Sequence, residues 1–105
     1  MPRNVKIYEK GDASTTPIDS ILPLYVADAF IAKMRLPIDA REFCANVDRA
    51  MCYNTKNHHV IAIDFDADEI ALHAFLNPDD EIDAITIERD QNPYAVECIE
   101  MQHEQ

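Results

Sequence analysis

The chain has 105 residues, 48% of them hydrophobic, and a formal net charge of −11 at neutral pH, which suits a single modest core better than a disordered acidic chain. No apolar run approaches the roughly 20 residues of a membrane helix, and Met1-Pro2-Arg3-Asn4 leads into Lys6 and Glu9 without the apolar stretch of a signal peptide. The expectation is one soluble, cytoplasmic domain over residues 1–105, in which like charge disfavours direct contact with nucleic acid or an anionic membrane.

Val5-Lys6-Ile7-Tyr8-Glu9 alternates apolar and polar and predicts a short strand ending before Gly11, the one glycine of the sequence. Thr16 as N-cap, Pro17 at the first helical position and Asp19 predict a helix start, with Ile18, Ile21, Leu22, Tyr25, Val26, Ala29, Phe30 and Met34 at helical spacing. Pro23 kinks this helix or moves its start later. Leu36-Pro37 ends it, and Asp39 with Glu42 forms a D-x-x-E box opening a second helix whose apolar face is Phe43, Val47, Ala50 and Met51.

After the polar loop Asn54-Thr55-Lys56-Asn57, two strands are predicted, His59 to Phe65 and Ile70 to Leu76, joined by Asp66-Ala67-Asp68-Glu69. With period two, Ile61, Ile63 and Phe65 share a face with Ile70, Leu72, Ala74 and Leu76, and that face belongs under the helices. The opposite face, with Val60, Ala62, Ala71 and Phe75, is apolar for a wetted surface and points to self-association, a homodimer, or another contact. Asn77-Pro78-Asp79-Asp80-Glu81 is turn chemistry, Ala84 to Glu88 alternates again, and Tyr94 to Met101 is a last strand whose poor alternation suggests a bulge or an edge position. The order is β-α-α-β-β-β-β, an α+β fold with two amphipathic helices on one face of a mainly antiparallel sheet of four to five strands.

Candidate chemistry is sparse. Asp64-Phe-Asp66-Ala-Asp68-Glu69 begins like a calcium loop, but Glu69 stands where the sharp turn requires glycine and Phe75 where a bidentate glutamate is required. His58 and His59 point to opposite faces of a strand, whereas His73 could approach His59 across the hairpin, with Asp64 nearby, as a loose zinc or general-base arrangement. Ser14 and Ser20 fit helix starts. Cys44, Cys52 and Cys98 lack CxxC spacing and are expected as reduced, partly buried thiols, and Cys44 or Cys98 meets His73 only by accident of folding. With one glycine no phosphate-cradling loop can be written, and no cofactor, metal site or catalytic residue is assigned.

The strand, the helix near Ile18, the helix from Asp39, and then His59-Val-Ile-Ala-Ile-Asp-Phe and Glu69-Ile-Ala-Leu-His-Ala-Phe resemble, in order and hydrophobic pattern, the N-terminal half of the GNAT acetyltransferase fold. That resemblance would imply acyl transfer from acetyl-CoA. The family's cofactor loop, R/Q-x-x-G-x-G/A, has no counterpart between Ile87 and Gln105, so no family residue is carried over.

The remaining signal is charge. Residues 57–105 carry thirteen acids against one base, Arg89, while residues 1–56 carry seven acids against eight bases. Asp64, Asp66, Asp68, Glu69, Asp79, Asp80, Glu81, Asp83, Glu88 and Asp90 are expected to gather on one sheet and form a negative field directed at a basic partner surface. This looks like the small acidic proteins that mimic DNA, among them phage anti-restriction and anti-CRISPR inhibitors. The expected function is therefore a non-enzymatic inhibitor of phage or mobile-element type that blocks the basic surface of a nucleic-acid-handling protein.

Overall fold

The computed structural model describes residues 5–89 in full and the backbone of the strand over 92–100. The chain runs β1 (Lys6–Glu9), a 3-10 turn (Ile18–Ser20), α1 (Leu24–Met34), α2 (Ala40–Ala45), β2 (Val47–Asn54), β3 (His59–Phe65), β4 (Ile70–Leu76), β5 (Ile82–Arg89) and β6 (Asn92–Glu100). The strands form one sheet in the order β1-β2-β3-β4-β5-β6, every neighbouring pair antiparallel. The fold is α+β, with both helices between β1 and β2. Among the described residues no helix is long and apolar enough to cross a membrane.

Pro23 sets the start of α1. It occupies the N-cap with ψ 151, so the backbone is extended there, and the helix begins at Leu24 rather than near Ile18. Val26, Ala27 and Phe30 form its buried face. The helix ends on Arg35 in the left-handed conformation, φ 57, with the Leu36 N–H bonded back to the carbonyl of Ile31. Asp39 caps α2 through a 2.9 Å bond from the Glu42 N–H to its side chain.

The second helix is much shorter than its sequence pattern predicts. It stops at Ala45, and Val47, Ala50 and Met51, expected on a helical face, lie in strand β2. The cause is a bulge: the register with β3 shifts between Val47 and Arg49, so Val47 and Ala50 both point inward three residues apart and imitate helical spacing. Beyond the bulge β2 alternates normally, with Ala50 and Cys52 buried and Met51 exposed. The sheet therefore has one more strand than the sequence suggests.

The inner face is the one the β3–β4 hairpin predicts. Ile61, Ile63 and Phe65 pair in register with Ala74, Leu72 and Ile70, and Ile85 and Ile87 of β5 continue those rows. Phe43 of α2 stacks on Phe65 of β3 at 4.5 Å and lies 6.0 Å from Phe30 of α1, linking both helices to the sheet. No polar or charged residue is buried among the described residues. The edge position expected for the last strand is observed, since β6 ends the strand order, with a register shift against β5 between Glu88 and Arg89. Met101, the expected tail over 102–105, Asp90 and the Cys98 side chain lie outside the described residues.

Candidate binding surfaces

The acidic residues do not gather as expected. An antiparallel meander places successive turns at opposite ends of the sheet. Asp66, Asp68 and Glu69 lie in the β3–β4 turn with Asp64 and Glu88 beside it, whereas Asp79, Asp80 and Glu81 lie in the β4–β5 turn with Asp83 beside that. The seven residues of β4 separate the two groups by about 20 Å. The single outward field is thus corrected to two acidic ends.

One of those ends is built around a cation. Arg49 reaches Asp64 at 3.1 Å, Asp68 at 3.4 Å and Glu9 at 3.8 Å. The Asp64 hydrogen bond first, and the Asp68 charge second, hold the Arg49 proton more tightly than usual. The turn below is tied down by backbone N–H groups, Asp68 donating to the Asp48 carboxylate at 3.0 Å and Asp66 to the Asn46 carbonyl at 3.2 Å. Asp66, Ala67 and Asp68 are consecutively left-handed, with φ of 60, 58 and 67. Aspartate tolerates that region and alanine gains nothing from it. Ala67→Gly is expected to raise stability by about 0.5–1 kcal/mol, seen as a higher urea midpoint with unchanged slope.

At the other end His58 lies 2.9 Å from Asp83 and packs edge-on against Phe75. Asn77 organises the turn, accepting the backbone N–H groups of Asp79 and Glu81 at 2.8 and 3.0 Å. The Tyr25 hydroxyl of α1 donates to the Asp80 carbonyl at 2.6 Å, fastening the helix layer to this turn.

Between the two ends lies the outer face of the sheet, ordered by register into transverse rows. One row runs Tyr53, Val60, Phe75, Ala84; the next runs Ile7, Met51, Ala62, His73, Thr86; the third runs Glu9, Arg49, Asp64, Ala71, Glu88. Two rows are largely apolar, and the third is charged. The residues expected on a contact face, Val60, Ala62, Ala71 and Phe75, do share this side, but Val60 is fully buried and unavailable to a partner. On this side of the sheet the exposed large apolar groups are instead Val5, Ile7 and Met51, at 42%, 50% and 38%. The alternation of β1 already placed Val5 and Ile7 together, whereas Met51 was hidden by the helical appearance of β2. A shallow cleft of about 240 Å³ opens here, with Ile7, Met51, Ala62 and His73 on its walls and Arg49 and Asp64 at one side.

His73 stays apart from His59 and from Cys44. His59 faces inward, in register with Leu76 and bonded through Nδ1 to Asn54 at 2.8 Å, whereas His73 belongs to the outer row. The two histidines lie on opposite sides of the sheet, which overturns a shared site between them. Cys44, on α2, is likewise across the sheet from His73; burial, then Asp19, pushes its thiol up. Cys44 and Cys52 are free, half-buried and buried respectively. No group of three metal-ligating side chains occurs among the described residues.

His73 is half-buried and lies 6.3 Å from Phe75, ring stacked on ring. Burial lowers its pKa below 6.5, outweighing the upward pull of Glu88 and Asp64. The unfolded chain takes up this proton near 6.5 while the folded chain resists it. The stability contribution is therefore present above pH 6.5 and is lost as pH falls from there to the depressed folded value. His73→Gln should flatten the stability profile below pH 6.5 in denaturation series.

No protein-family model, curated protein or solved structure matches this chain.

Proposed function

We propose that this protein is a non-enzymatic binding domain whose open sheet face receives a basic surface of another protein. The observation that carries this reading is the adjacency, on one face, of two apolar rows and the row bearing Asp64 and Glu88. Apolar centre and charged border are the anatomy of a specific interface. At a net charge of −11, the domain attracts a partner with lysines and arginines around an apolar contact, and nucleic-acid-handling proteins carry surfaces of that chemistry. A second copy of the chain is a poorer occupant, because two bodies of that charge repel before their apolar rows meet.

Catalysis has less support. His73 is separated from Cys44 and Cys52 by the sheet, and an acetyl-CoA-dependent transferase needs a backbone cradle for phosphates. The sequence's one glycine, Gly11, instead serves the turn after β1, at φ 84.

The test is Ala62→Arg, which sets a cation in the middle of the exposed row. Wild type should retain a partner from native extract in low salt and lose it progressively as salt rises. A62R, with an unchanged circular dichroism spectrum, should retain at least tenfold less. Equal retention by A62R would remove the outer face from the contact, and a wild-type dimer in sedimentation at physiological salt would replace the basic partner with a second copy.

A further inference from the structure

On the other side of the sheet the helix layer stops short of the strand ends. The 3-10 turn and Pro23 precede α1, and beneath them the ends of β1, β2, β3 and β4 are left open as a cleft of about 600 Å³. That volume falls within the range of small-molecule sites. Its floor is apolar, formed by Ile21, Cys52, Ile61 and Leu76, all buried.

The rim is polar and its groups are unevenly used. Tyr25 spends its hydroxyl on the Asp80 carbonyl, and His59 uses Nδ1 on Asn54 Oδ1. The Lys6 ammonium, the Ser20 hydroxyl, the Asn54 amide nitrogen and His59 Nε2 have no protein partner among the described residues. Three of these four groups are donors. Lys6, Asn54 and His59 sit together on β1, β2 and β3, Lys6 in register with Cys52 and Asn54 with His59. The Asp80 carboxylate stands at the opposite side, beyond β4. The cleft is therefore polarised, with donors at one end, an acid at the other and an apolar floor between them.

We infer that this cleft binds a small monocarboxylate with an apolar body, its carboxylate held by Lys6, Ser20 and Asn54 and its body lying on Ile61 and Leu76. A carboxylate is the acceptor-rich group that satisfies several donors at once. A second carboxylate at the far end would meet Asp80, so a dicarboxylate of the same length is rejected. This inference does not rest on the outer-face reading, since the two surfaces lie on opposite sides of the sheet.

Octanoate is the probe, titrated into isotope-labelled protein and followed by amide chemical shifts at neutral pH. Saturable shifts are expected at Lys6, Asn54, His59 and Ile61, with octan-1-ol and octanedioate each binding at least fivefold more weakly. Lys6→Ala should weaken octanoate at least fivefold, and Ser20→Phe, at an exposed rim position that leaves the core untouched, should block it. The inference is overturned by octanol binding as well as octanoate, by full affinity in either variant, by shifts confined to Met51 and Ala62 on the outer face, or by shifts that never saturate.

Discussion

Phe43→Ala is expected to cost about 3–5 kcal/mol, a large share of the about 5–15 kcal/mol by which a domain of this kind is stable. The side chain is fully buried, stacked on Phe65 and near Phe30. Its loss takes away transfer energy and leaves a cavity at the meeting point of α1, α2 and the sheet. The helix that carries it has only six residues, too few to persist without tertiary contacts. Truncation at Phe43 therefore also releases the anchor of α2 and the bend that leads into β2. Urea denaturation should show a midpoint far below wild type, and Phe43→Leu, which keeps part of the volume, should lose less. A midpoint within experimental error of wild type would mean that α2 is not anchored through this ring.

The parts of the fold that followed from the sequence are those where one physical signal acts alone. The β3–β4 hairpin has clean alternation, and Ile61, Ile63, Leu72 and Ala74 lie on the predicted face. Pro23 states the start of α1 through its own geometry. The junction of α2 and β2 was illegible because two signals coincided: a valid N-cap at Asp39 opened a helix, and the bulge at Val47 lent the following strand a helical spacing. Tyr53 and Cys52 at the end of that segment favour a strand, but propensity is too weak to outvote periodicity. The binding surface failed for a different reason. Acids close in sequence were expected to be close in space, yet carboxylates one strand apart in a meander must land at opposite ends. The crowding of acids in the second half of the chain is therefore a property of its turns, whereas the outer face depends on strand pairing, which joins Ile7, Met51, Ala62 and His73 from distant segments.

Arg49 shows how that division affects the surface. At the β3–β4 end it is shared among Glu9, Asp64 and Asp68, all three about half-exposed or less, so the charges are partly answered from within. Pairs this exposed contribute little to stability. Their effect is on shape, because Arg49 orders the border of the outer face and keeps the Asp64 side chain beside the apolar row. Glu88 stands in the same row, two strands from Asp64 with Ala71 between, about 10 Å away.

The two acidic ends should consequently differ in binding. The double variant Asp64→Asn with Glu88→Lys changes the charged row that borders the contact, and at least a tenfold loss of partner affinity is expected, equivalent to about 1.4 kcal/mol. Replacing Asp79, Asp80 and Glu81 together with lysine alters the formal charge more, yet acts about 20 Å from that border, beyond the roughly 8 Å over which charges act strongly at physiological salt. The triple variant should slow association at low salt and leave affinity at physiological salt within about threefold, since distant charge acts mainly on encounter rate. Asp83 is retained in both variants, so its contact with His58 is preserved. Competition of labelled wild type against each variant, at low and physiological salt, separates the cases. If the triple variant loses the partner and the double variant keeps it, the contact belongs to the β4–β5 end, and the outer face has no part in it.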